Sequence, residues 1–120
     1  MASNEGEFQA RVHSWMLRCF GNKLTQDRDE RNRRFLEEAL ELVQSLGCTK
    51  EQASSLVAYV FDRPSGDPGQ EVGGVAVTLA ALCHANQLDM CSEATKEIVR
   101  IEDPQITIKI REKQLQKPTH

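Results

Sequence analysis

A chain of 120 residues with a formal charge of −3 fits a single domain with one core, and it carries no electrostatic footprint for general binding of nucleic-acid polymers. No apolar run reaches the ~18–20 residues needed to span a bilayer, which predicts no membrane insertion. The four cysteines (Cys19, Cys48, Cys83, Cys91) form no C-x-x-C pair, so zinc-knuckle and thioredoxin-like chemistry are unsupported. They read as small buried residues of a reducing compartment, and the polar, acidic start Met1–Glu7 is unlike a signal peptide. A cytoplasmic location is expected.

Residues 1–6 are expected to fray. A first helix is predicted from about Glu7 to Phe20, with Phe8, Val12, Trp15, Met16 and Cys19 on one face and Gly21-Asn22 as its stop. Thr25 or Asp27 can cap a second helix, whose apolar face is Phe35, Leu36, Ala39, Leu40, Leu42, Val43 and Leu46 and which ends at Gly47. Glu37, Glu38 and Glu41 share the side opposite that stripe. Thr49 ahead of Lys50-Glu51-Gln52 reads as the cap of a third helix through Leu56, Val57, Val60 and Phe61. Arg63-Pro64-Ser65-Gly66-Asp67-Pro68-Gly69 is the strongest turn signal in the chain.

The fourth helix starts with Asp67 as N-cap and Pro68 at the first helical position. From Val72 to Leu82 it is apolar on every side, the mark of a bundle centre or a subunit interface. Gly73 and Gly74 each cost roughly 1 kcal/mol of helix propensity relative to Ala, which a close neighbouring backbone or ligand would offset. Asp89 reads as the cap of a fifth helix, Met90 to Ile101, broken at Asp103-Pro104. Gln105–Ile110 has an alternating, β-branched look, although its Ile106–Ile110 spacing also suits a helix. Residues 115–120 are expected to be flexible. Together these elements predict an all-α bundle of four to six helices, and an all-round apolar fourth helix in so short a chain points to completion by a homodimer or larger assembly.

The acidic positions admit two meanings. On one, Glu37, Glu38 and Glu41 form a solvated face on which Arg34 pairs with Glu38, and Glu71 simply favours the helix dipole. On the other, Glu38, Glu41 and Glu71 are ligands from neighbouring helices. An oxygen-only donor set without Cys or His suits a hard ion such as Mg²⁺ or Mn²⁺, which clamps phosphate oxygens and activates water.

The stretches Arg33-Arg34-Phe35-Leu36-Glu37-Glu38-Ala39-Leu40-Glu41-Leu42 and Glu71-Val72-Gly73-Gly74-Val75 resemble the MazG-like group of all-α nucleoside triphosphate pyrophosphohydrolases, whose signature is E-x-x-E followed by E-x-x-D. The resemblance spans about residues 13–113. It implies a helical bundle that forms dimers or tetramers, with Mg²⁺ on the motif carboxylates. It also implies hydrolysis of an NTP or dNTP to the monophosphate and pyrophosphate, as nucleotide-pool house-cleaning. Glu38, Glu41 and Glu71 match the motif, and Glu37 is a candidate outer ligand or water-orienting base. Where the family's last Asp would stand, this sequence has Gly74. Asp67, one turn before Glu71, is a candidate replacement ligand beside its role as cap.

Arg33, Arg34, Lys109, Arg111 and Lys113 are candidate phosphate-binding cations, each with a plain surface role as the alternative. Trp15 can stack on a base or lie in the core. A di-iron bundle is set aside, because neither His13 nor His84 follows a Glu at i+3 spacing. Gly74 keeps a second function open, a non-catalytic helical module that binds nucleotide or protein on a degenerate metal site. A purely structural adaptor is the third.

Overall fold

Six helices, and no strand, make up the secondary structure of residues 4–119, which the computed structural model describes: α1 (Asn4–Thr25), α2 (Arg28–Ser45), α3 (Lys50–Phe61), α4 (Pro68–Ala85), α5 (Met90–Ile101) and α6 (Pro104–Gln114). The expected all-α class holds. None of these helices is long and apolar enough to cross a membrane. The fraying expected at residues 1–3 and at His120 falls outside the described residues, while Asn4–Gly6 are helical.

Local chemistry accounts for the helix boundaries. Gly21 breaks the helical backbone of α1 at φ 80°, ψ 173°, but one further turn follows it before Thr25. Asp27, not Thr25, caps α2, its Oδ1 accepting from the Glu30 N–H at 3.1 Å. That helix closes on Gly47 at φ 94°, with the Cys48 N–H reaching the Val43 carbonyl at 2.9 Å, a left-handed closure that glycine adopts without strain. Thr49 and Gln52 form a reciprocal capping box on α3. Asp67 caps α4 and Pro68 occupies its first turn. Asp89 accepts from the Ser92 N–H at 2.7 Å at the start of α5. Asp103 caps α6 ahead of Pro104, so Gln105–Ile110 is helical despite its alternation: the cap and the Ile106–Ile110 spacing win over β propensity.

The chain divides into two compact units, one from the residues up to Leu36 with those from Thr95 onward, the other Glu37–Ala94. The first holds the hydrophobic core. Trp15, Met16, Cys19 and Ile98 are buried, with Val12, Phe20, Ile101 and Ile110 packed on them, and α1 packs along α6. The Trp15 indole N–H donates to the Ile101 carbonyl at 2.8 Å and to Thr107 Oγ1 at 3.1 Å. Thr107 Oγ1 donates in turn to the Ile101 carbonyl at 2.5 Å. Phe20 meets the indole edge-on, with ring centroids 5.7 Å apart. The Arg111 guanidinium donates to the carbonyls of Cys19 (2.7 Å) and Arg18 (3.1 Å), just ahead of the break at Gly21.

A buried carboxylate ties α2 to α6 within this unit. Glu30 is 2% exposed. It faces Arg34 Nε at 2.9 Å and Arg33 Nη2 at 3.3 Å, and it accepts from Gln114 Nε2 at 2.5 Å. Burial pushes its pKa up, but the Gln114 hydrogen bond and the Arg34 and Arg33 charges outweigh burial and hold it below the usual carboxylate range. A folded-state pKa below the unfolded one stabilises the fold fully above the ordinary carboxylate pKa, and that contribution is lost as pH falls through the folded value. Urea midpoints of the wild type should therefore fall from neutral pH into the acid range more steeply than those of Glu30→Gln. Parallel pH profiles would show that Glu30 does not carry the acid sensitivity.

The second unit is different. None of its residues is fully buried, and no two of its helices pack as extensively as α1 does on α6. Phe61 is 81% exposed, Val72 70% and Val77 69%. A helix apolar all round thus stands with most of its side chains uncovered, Leu79, Leu82 and Cys83 being half-buried, where sequence patterning calls for burial. The same openness corrects the expectation for the cysteines. None of the four forms a disulfide, and only Cys19 is buried; Cys48 and Cys83 are half-buried and Cys91 is exposed.

Candidate metal centre

The motif carboxylates all belong to the second unit. Glu38 and Glu41 are exposed on α2, and Glu37 beside them is half-buried. Glu71 lies in the first turn of α4, its N–H donating to the Asp67 carbonyl at 2.9 Å. Asp67 Oδ2 accepts from the Gln70 N–H at 2.9 Å, so this side chain serves as the cap. Among the described residues no three Asp, Glu, His or Cys side chains converge on a common point. Glu38 and Glu41 sit on α2 and Glu71 on α4, and no extensive helix–helix packing within this unit gathers the three about one point.

Two glycines bear on the site. A Cβ at Gly74 would meet nothing within 4 Å. The missing carboxylate there is therefore not imposed by crowding within the chain, and nothing in the chain offsets the propensity cost of Gly73 or Gly74. Gly66 is the opposite case: a Cβ would lie 2.5 Å from Glu71 Oε2. The α3–α4 connection passes beneath the Glu71 carboxylate, and only the absence of a side chain leaves it that place. Gly66→Ala should displace the carboxylate by rotating a flexible side chain. The melting temperature should stay within about 1–2 °C, since surface changes of this kind stay within about 0.5 kcal/mol, while Mn²⁺ affinity falls several-fold. Unchanged affinity would show that this seat is irrelevant to metal binding.

The substrate candidates divide. Trp15 is 6% exposed, its N–H is engaged and Phe20 abuts its ring, so it is a core residue with no face open to a base. Arg34 is committed to Glu30 and donates to the Pro118 carbonyl, an internal role for a side chain proposed to meet phosphate. That contact also engages the segment after Gln114, which was expected to be flexible. Arg33 and Arg111 have internal partners as described, and Lys109 and Lys113 are exposed on α6. Sequence reasoning missed Glu30 altogether. The signal was its i, i+3, i+4 spacing to Arg33 and Arg34.

Comparison with protein-family models, with curated proteins and with solved structures gives no match.

Proposed function

We propose that the protein is a Mg²⁺-dependent nucleoside triphosphate pyrophosphohydrolase that works as a homodimer or homotetramer. The observation that carries this reading is that Glu38, Glu41 and Glu71, which match the signature of the family the chain resembles, lie on helices that leave Phe35, Leu36, Leu40, Val72, Val75 and Val77 exposed. Covering that surface with further copies would remove the exposed apolar area and bring carboxylate-bearing helices against one another. The fit to a hard ion rests on the donor chemistry, carboxylate oxygens without thiolate or imidazole.

Glu38, Glu41 and Glu71 would hold the metal, with Asp67 able to contribute from its capping position. When bound, Mg²⁺ supplies charge neutralisation on the phosphate oxygens and a lowered pKa for water. Glu37 would serve as an outer ligand or as the base that orients the attacking water and takes its proton. Attack forms a new P–O bond and breaks the bridge between the α- and β-phosphates, so the products are monophosphate and pyrophosphate.

Gly74 favours one alternative, a module that binds a metal–nucleotide complex without turning it over. Incubation with a panel of NTPs and dNTPs, with Mg²⁺ and with EDTA, separates the two. Monophosphate plus pyrophosphate, abolished by EDTA, is the expected result. Metal-dependent thermal stabilisation by nucleotide without products would establish the binding module instead.

A further inference from the structure

A triphosphate approaching the second unit meets an excess of like charge. Residues 37–94 carry Glu37, Glu38, Glu41, Glu51, Asp62, Asp67, Glu71, Asp89 and Glu93, against one lysine, Lys50, and one arginine, Arg63. Hydrolysis of a polyanion requires cationic groups where negative charge develops on the leaving pyrophosphate. The basic residues singled out from sequence all lie in the other unit, and Arg33, Arg34 and Arg111 already have internal partners there.

Arg63 is placed differently. It follows Asp62, the C-cap of α3, and its guanidinium carbon sits 4.2 Å from the centre of the Tyr59 ring one helical turn back. Neither residue makes a side-chain hydrogen bond or ion pair among the described residues. A guanidinium held against an aromatic ring is oriented by the cation–π contact and keeps N–H donors for a planar, forked grip on phosphate. Lys50 begins α3, at the far end of that helix. Arg63 opens the connection that runs through Gly66, beneath the Glu71 carboxylate, into α4.

We propose that Arg63, braced on Tyr59, is the phosphate-binding cation of this unit and receives the β- and γ-phosphates that depart as pyrophosphate. The proposal rests on the pyrophosphohydrolase reading above. It assigns to the site a charge that the motif carboxylates cannot supply.

Steady-state hydrolysis of NTP and titration with Mg²⁺-tripolyphosphate test it in four variants. Arg63→Gln should raise KM and the tripolyphosphate Kd by about 10- to 100-fold, the usual worth of a charged hydrogen bond, without changing the affinity for Mn²⁺ alone. Arg63→Lys should recover part of the loss, because it restores a point charge without the fork. Tyr59→Phe should match wild type, since the ring remains, whereas Tyr59→Leu should shift KM in the same direction as Arg63→Gln by a smaller factor. If Arg63→Gln stays within twofold of an active wild type, Arg63 is a plain surface charge and the metal reading survives without it. If wild type neither hydrolyses NTP nor binds tripolyphosphate, both proposals fall together.

Discussion

Glu41→Gln should abolish Mg²⁺-dependent release of pyrophosphate while leaving helical content and melting temperature close to wild type. The side chain is exposed on α2, and surface substitutions of this kind stay within about 0.5 kcal/mol. Glutamine keeps the shape and removes the charge, so a hard cation loses a ligand while the helix loses almost nothing. Removing an outer-shell partner of a metal site typically costs about 10–100-fold, and loss of a direct ligand should exceed that. Pyrophosphate release at saturating NTP, alongside a far-ultraviolet melting curve, decides the matter. Full activity in the variant would remove Glu41 from the site. Loss of activity together with loss of helix would make its role structural.

Trp15→Ala should be the most damaging single truncation for stability. The indole centres the cluster of Met16, Cys19 and Ile98 and donates to both Ile101 and Thr107. Truncating a buried aromatic costs about 3–5 kcal/mol. Against a total of about 5–15 kcal/mol for a typical domain, most of the margin would go. Urea denaturation followed by circular dichroism should show a large drop in midpoint or a chain unfolded in buffer. Trp15→Phe refills most of the volume without the N–H, so it should cost less and isolate the hydrogen-bond share. A well-folded Trp15→Ala protein with weakened nucleotide binding would return this residue to the substrate site.

Much of the fold was legible because helix boundaries are decided locally. The caps at Thr49, Asp67 and Asp89 and the stop at Gly47 depend on residues within one turn. Trp15 lay on the Phe8–Val12–Met16–Cys19 face, which suited the core but left base stacking open, and only its contacts with Ile101, Thr107 and Phe20 show its burial. Gly21 was visible as a break, but not the extra turn beyond it. Glu30 was hidden, because its partner Gln114 is distant in sequence, and in the run Arg28–Arg34 it reads as one more solvated charge. The motif carboxylates were legible as a pattern on α2 and α4, whereas any convergence of them would depend on packing between helices, which spacing along one helix does not encode. Arg63 was passed over as turn punctuation, although Tyr59 at i−4 was its cue.

The uncovered state of α3 and α4 sets how their backbone would behave in a lone chain. Helices of 12 and 18 residues, the longer carrying Gly73 and Gly74, sit near the length at which an isolated helix is marginal in water. With little lateral packing, their amide protons would trade with deuterated solvent through fraying and local melting, far faster than those around Trp15. Slow exchange along α4 would then mark the moment at which another surface has closed over it, and the protein concentration at which protection sets in would report how tightly that surface is held.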